Sequence, residues 1–188
     1  DLSLDAMLVH GNVALDIIDF VGNNRKRWEG QHTLIYVGGY VDTPTPGLRV
    51  PKVEGDVSEQ AWISSNLASR GVDHRLLPDS RHSMDEVRHF YNQERVRAKN
   101  ALWSAWLGFV GTAPQMPFYA LCHRTAIEEQ GLGNIKLVPL PVETGCAFGD
   151  DLAQLAYETH RILEYGERGY ISSAPTGGVP ILGEYGYQ

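Results

Sequence analysis

Cysteine is scarce. The 188 residues hold two, Cys122 and Cys146, without CxxC or zinc-type spacing. No disulfide framework follows, and a single bridge or two free thiols both stay open. Positive charge is also in deficit, with 16 Lys and Arg against 23 Asp and Glu, a formal net charge of −7. A general nucleic-acid binder needs a basic face, and docking on anionic lipid needs a polybasic patch, so neither partner is expected. A small anionic ligand stays open, because backbone N–H groups bind one locally. No apolar run approaches the about 18–20 residues of a membrane span, and no signal-peptide pattern is present. The chain opens at Asp1 rather than Met, which leaves an upstream segment open. A cytoplasmic location is the expectation, with envelope association as the alternative if such a segment precedes. GxGxxG is missing, which disfavours an NAD-type dinucleotide. G-x-S-x-G is missing as well, which disfavours a serine-hydrolase elbow.

What is present suits one globular domain, with 43% apolar and 21% charged residues. Five short apolar runs each end in small or polar residues. Ala6-Met7-Leu8-Val9 leads into His10-Gly11-Asn12, and Leu34-Ile35-Tyr36-Val37 into Gly38-Gly39. Leu76-Leu77 leads toward Ser80 to Ser83, Phe118 to Leu121 into Cys122-His123-Arg124, and Leu137 to Leu140 into Glu143-Thr144. Helix-like segments separate most of them, so the runs read as about five mostly parallel strands of an α/β sheet. The expected strands are residues 5–9, 32–37, 72–77, 118–121 and 135–140. The expected helices start near Asn12, at Asp56 or Ser58, at Met84, near Thr125 and near Asp150. The last of these turns Leu152, Leu155, Ala156, Ile162 and Leu163 inward. Residues 100–110, rich in Trp and Leu, read as helical. Residues 40–55 form a long loop without periodicity, usually functional or mobile. Residues 1–170 read as one domain and 171–188 as a Gly-, Pro- and Tyr-rich tail. That tail and the Trp103–Trp106 segment serve either a subunit contact, leaving a homo-oligomer open, or the core.

In a parallel sheet the loops after the strands share one edge, where ligands bind. The polar clusters are therefore candidates for one small-molecule site. Gly11 lets backbone approach a ligand, and Asn12 either caps the next helix or binds. Gly38 and Gly39 form either an anion nest or a turn. Ser58 reads as an N-cap, while Glu59 suits the helix dipole or accepts a ligand hydroxyl or amine. Ser80, His82, Ser83, Asp85 and Glu86 form the densest cluster. The carboxylates suit a helix start, and His82, Ser83 and Asp85 also offer ligand contacts and a general base. His123 is an acid, base or donor, and Arg124 a carboxylate or phosphate clamp. Cys122 reads as a small buried residue. His10, His82 and His123 all fall on this edge, but without tight spacing no metal is expected.

The order of these clusters resembles the YdcF-like (SanA/ElyC) family. That family has a strand ending in Ser-Gly-Gly, a helix starting Ser-Glu-Ala, a Gly-Val-Pro turn, a Ser-x-Asn-Thr-x-Glu-Asn segment and a later His and Arg pair. The counterparts here are Val37-Gly38-Gly39, Ser58-Glu59-Gln60-Ala61, Gly71-Val72-Asp73, Ser80 to Glu86, and His123-Arg124. His82-Ser83 stands where the family has Asn-Thr, and Asp85-Glu86 where it has Glu-Asn. The resemblance covers roughly residues 5 to 142. It implies a Rossmann-like, three-layer α/β/α fold and a site for S-adenosylmethionine or a related nucleotide, with no metal. Gly11, Asn12, Gly38, Gly39, Ser58, Glu59, Ser80, Ser83 and Arg124 would bind the cofactor. His123, Asp85 and His82 would carry catalysis. Family members are linked to cell-envelope processes. An enzyme, a non-catalytic ligand-binding or envelope assembly factor, and a hydrolase or transferase of phosphorylated or glycan substrates are the three expectations.

Overall fold

The computed structural model describes residues 3–11, 14–39, 57–98, 105–132, 134–144 and 148–171. The elements run β1 (Ala6–Val9), α1 (Leu15–Asn23), α2 (Arg25–Gly30), β2 (Leu34–Val37), α3 (Glu59–Ser69), β3 (Arg75–Leu76) and α4 (Ser83–Ala98). Then come β4 (Ala105–Thr112), a 3₁₀ turn (Ala113–Gln115), α5 (Met116–Glu129), β5 (Ile135–Val142) and α6 (Phe148–Glu167). The five strands form one sheet in the order β3-β2-β1-β4-β5, all pairs parallel. Val9 sits level with Val37 on one side and Val110 on the other, and Val37 level with Leu76. β2 therefore finishes level with β1, and β4 runs two residues further past the same edge.

Side chains on a strand alternate between faces, and β1 feeds two cores. Ala6 and Leu8 pack with Tyr36, Phe90, Tyr91, Phe109 and Phe118, on the α4 and α5 side. Met7 and Val9 pack with Ile17, Ile18, Val21, Ile63 and Leu67, on the α1 and α3 side. Both faces are covered, which is why β1 and β4 read as continuous apolar runs rather than as alternation. The three-layer α/β/α expectation holds.

Two expectations exchange places. Residues 100–110 read as helical, yet Ala105–Thr112 is the long central strand β4. A strand buried on both faces has no period to read, and apolar content alone fits helix or strand. Gly108 belongs there because a Cβ would come within 2.8 Å of the Leu4 side chain. Residues 118–121 read as a strand, yet they begin α5. Pro117 suits a helix start, and Phe118 with Tyr119, Cys122 with His123, and Ala126 with Ile127 recur at helical spacing on one buried face. Further chain breaks are local. α1 stops at Asn23 and α2 begins at Arg25, and β3 shrinks to two residues before Pro78.

α6 departs furthest from expectation. Leu152, Leu155 and Leu163 are exposed, at 58%, 43% and 62%, while Glu158 is 1% exposed. The helix does not run back along the sheet. Gln154 donates to Thr112 at the end of β4, Arg161 lies over the Phe118 ring and donates to Ser83, and Tyr165 packs edge-on to His82. It crosses the strand edge, so its polar and aromatic residues face inward. Trp106 lies on β4, packed on the second core beneath Lys136. Trp103, the loop at 40–55 and the tail from 172 fall outside the described residues, as do Asn12 and Cys146. Among the described residues, no helix is long and apolar enough to cross a membrane.

Candidate functional site

The strand order reverses between β1 and β4, and open α/β sheets bind ligands in the crevice beyond such a switch point. His10 follows β1 directly, and its backbone N–H still bonds Val110 O. Gly38 continues β2 in the same way, bonding Val9 O. Behind it, Gln60 ties the ends of β2 and β3 by donating to Val37 O and Leu77 O. Ser58 caps α3 by accepting from Ala61 N–H.

Glu86, in the first turn of α4, reaches into this floor and is 1% exposed. Its carboxyl accepts backbone N–H bonds from Gly11 and Gly39. The nest that the glycines suggest therefore encloses the protein's own carboxylate. A Cβ on Gly11 would come within 2.5 Å of Glu59 Oε2, 2.6 Å of Gly39 Cα and 2.8 Å of Glu86 Oε1. Two carboxylates thus converge on Gly11 from the starts of α3 and α4.

Glu86 Oε2 lies 2.8 Å from His10 Nδ1, His10 Nε2 lies 3.0 Å from His123 Nε2, and His123 Nδ1 lies 2.8 Å from the Tyr91 hydroxyl. Tyr119 stacks on His10 with ring centroids 3.7 Å apart, and Phe109 stacks on His123. Both imidazoles are fully buried. Burial pushes His10 down to about 3, helped by the Arg161 charge, and pushes His123 well below the usual imidazole range. Burial pushes Glu86 up to about 7, against the Gly11 and Gly39 bonds and Arg161. The 2.8 Å contact is therefore a neutral imidazole on a carboxyl rather than an ion pair. Arg161 supplies the charge behind this floor. Burial alone would lower its guanidinium, but Glu158 and the neighbouring tyrosines hold it above its usual value.

Stability should fall on acidification. Below about pH 6.5 an unfolded chain protonates both imidazoles, while the folded chain leaves them bare, His10 down to about 3. Unfolding then takes up protons, which costs the fold about 1.4 kcal/mol per pH unit for each histidine. Glu86 works oppositely from its folded value of about 7 down to the ordinary glutamate value of 4.5, since there the folded state keeps a proton that the unfolded chain releases. Glu158, which burial also raises, adds to the Glu86 effect, so the net expectation between pH 6.5 and 4.5 is a loss shallower than the two histidines alone would give, read by urea unfolding in pH steps. A flat profile across that window would refute the buried neutral pair.

The remaining sequence candidates fall into two groups. Gly11 meets Glu59, Gly39 and Glu86, and Gly38 meets Glu86, while Ser58 caps α3 and Ser80, His82, Ser83 and Asp85 lie at or just before the start of α4. Within that group, Asp85 accepts from Arg81 N–H, His82 accepts from Asp85 N–H, and Ser80 donates to Pro78 O, so they order the start of α4. Ser83 accepts from Arg161, and His82 stacks on Tyr170. His123 stands behind His10, within α5 rather than in a loop after a strand. Arg124 follows on the same helix, turned by roughly 100° from His123, and is half-buried. Cys122 is a buried free thiol that burial pushes up, as expected of a small core residue. The sequence places His10 and Glu86 in the polar clusters of this edge without giving either a binding or catalytic role, and it offers no signal for Tyr91, Tyr119 or Arg161 as site groups. Glu86 had a legible signal, a carboxylate on the Met84, Val87 and Phe90 stripe of an amphipathic helix. Among the described residues no group of three or more His, Cys, Asp or Glu is placed to hold a metal ion.

A separate cleft of about 310 Å³ lies at the opposite strand edge, between Arg25, Trp28, His32, His74 and Arg75. Within it Arg25 donates to Arg70 O, and His74 bonds Ser64 and Val72 O. The sheet order and the crevice beyond β1 and β4 define a doubly wound, Rossmann-like α/β protein with its candidate site at the switch point. No protein-family model, curated protein or solved structure matches the chain.

Proposed function

We propose that the chain is a small-molecule enzyme of the YdcF-like type that binds S-adenosylmethionine or a related nucleotide over Gly11, at the C-terminal edge of the sheet. The observation that carries this reading is the convergence of Glu59 and Glu86 on Gly11 at the switch point. Carboxylates there accept from hydroxyls and ammonium groups and repel phosphate, and the glycine N–H groups are already taken by Glu86. S-adenosylmethionine fits that set, since it presents ribose hydroxyls, an ammonium and a sulfonium. When bound it supplies an activated methyl group. Glu59 would accept from a hydroxyl or the ammonium, and Ser58, Ser83 and His82 would border the ligand. The chain's own contribution is orientation, which does most of the work when the cofactor carries the reactive group.

A non-catalytic ligand-binding protein is the second reading. It is favoured by Glu86, His10 and His123 being hydrogen-bonded to one another and at most 1% exposed. Thermal unfolding with S-adenosylmethionine, S-adenosylhomocysteine, phosphate or a nucleotide sugar tests both. At a hundredfold excess over Kd a native-state ligand adds about 2.7 kcal/mol, roughly 5–10 °C for a chain of this size. Such a shift with the first two compounds supports the site, and turnover of a methyl acceptor separates enzyme from binder. A shift with phosphate or nucleotide sugar alone would overturn both readings.

A further inference from the structure

Glu86, His10, His123 and Tyr91 form one line of hydrogen bonds behind the crevice floor, at 2.8, 3.0 and 2.8 Å. All four are at most 1% exposed. A neutral imidazole has one donor and one acceptor nitrogen, and Glu86, pushed up to about 7 by burial, can carry a proton of its own, so such a line can be strung in either direction. The direction decides whether His10 offers Glu86 a proton or a lone pair.

Tyr91 breaks the tie. Its hydroxyl is buried in the first core, among Phe90, Phe109 and Phe118, and among the described residues it has no second polar partner. A buried hydroxyl proton without an acceptor is costly, so Tyr91 donates to His123 Nδ1. The His123 proton then sits on Nε2 and is donated to His10 Nε2. The His10 proton is left on Nδ1, facing Glu86 Oε2. We propose that Tyr91 and His123 are positioning residues, which fix the direction of this line so that His10 always presents a protonated Nδ1 to Glu86.

Glu86 then gathers three N–H donors, from His10, Gly11 and Gly39. One carboxyl holds the loops after β1 and β2 together, and Tyr91, further along α4, sets the polarity of the line. The device works whichever ligand the crevice takes, so its failure and the failure of the S-adenosylmethionine reading are distinguishable.

Histidine nitrogen NMR on the full chain at neutral pH tests it, because a protonated ring nitrogen is distinct from a bare one. The expected wild-type pattern is a protonated Nδ1 in His10 and a protonated Nε2 in His123. The reverse pattern overturns the proposal, whatever any variant does. Tyr91→Phe removes the hydroxyl and leaves the ring. With the backbone circular dichroism retained, each histidine should change from one tautomer to a mixture. Wild-type tautomers persisting in folded Tyr91→Phe would place the control of direction elsewhere and overturn the assignment.

Discussion

Glu86→Ala should destabilise the protein by about 3–5 kcal/mol, a large part of the about 5–15 kcal/mol that holds a domain folded. The reason is the number of donors that depend on one side chain. His10 Nδ1, Gly11 N–H and Gly39 N–H all end on this carboxyl, in a place that water does not reach. Each donor left bare costs about 1–3 kcal/mol, less whatever the loops recover by relaxing. Glu86→Gln keeps the volume but turns an amide toward donors, so about 1–3 kcal/mol is expected. Urea unfolding reads both values. The alanine variant also makes a sharper claim. Removing the carboxyl empties the nest of Gly11 and Gly39 N–H groups, which then suits a small external carboxylate. Formate should restore part of the stability of Glu86→Ala and leave wild type unchanged, by preferential binding to the folded state. A loss below about 1 kcal/mol, or formate acting equally on both proteins, would mean that Glu86 does not hold the floor.

That Glu86 escaped the sequence reading has a physical cause. A carboxylate in the first turn of a helix is already explained by the dipole, and nothing local shows that Glu86, rather than the favoured candidate Asp85, turns inward. The structure separates them by direction. Asp85 turns toward the Arg81 backbone at the surface, and Glu86 turns inward to His10. Only tertiary placement of α4 against β1 distinguishes two adjacent carboxylates. The strands β1, β2 and β5 were legible because each ends at a small or polar cluster, and the N-cap at Ser58 and the turn at Gly71 because their residue types are specific. β4 was not, because its neighbours on both faces remove the period. His123 illustrates a mixed outcome. It was singled out as following a strand, and it sits instead on α5, where it meets His10 from below the sheet edge. Arg161 lies far along the chain, and nothing local indicates that α6 crosses the edge rather than running back along the sheet.

Gly11→Ala should cost about 2–4 kcal/mol, and the control Gly30→Ala should cost nothing or gain about 0.4–1 kcal/mol. The contrast rests on what a single methyl would meet. At Gly30, the last residue of α2, nothing lies within 4 Å of the added carbon. At Gly11 it would press on Gly39 Cα at 2.6 Å, as well as on both carboxylates. A side chain can swing aside, but the Gly39 backbone has little room to move. Its φ of +125 suits glycine alone, its N–H is committed to Glu86, and a Cβ there would itself sit 3.0 Å from Gln60 N. Alanine at position 11 must therefore part the β1 and β2 loops, and the Glu86 bonds open with them. Gly11→Ala and Glu86→Ala act on one device, so the double variant should lose less than the sum of the two single losses, by about 0.5–3 kcal/mol. Urea unfolding of the four proteins measures that difference. Strict additivity would show that the glycine contact and the carboxylate clamp are separate features, and the close approach of the two loops would then need another cause.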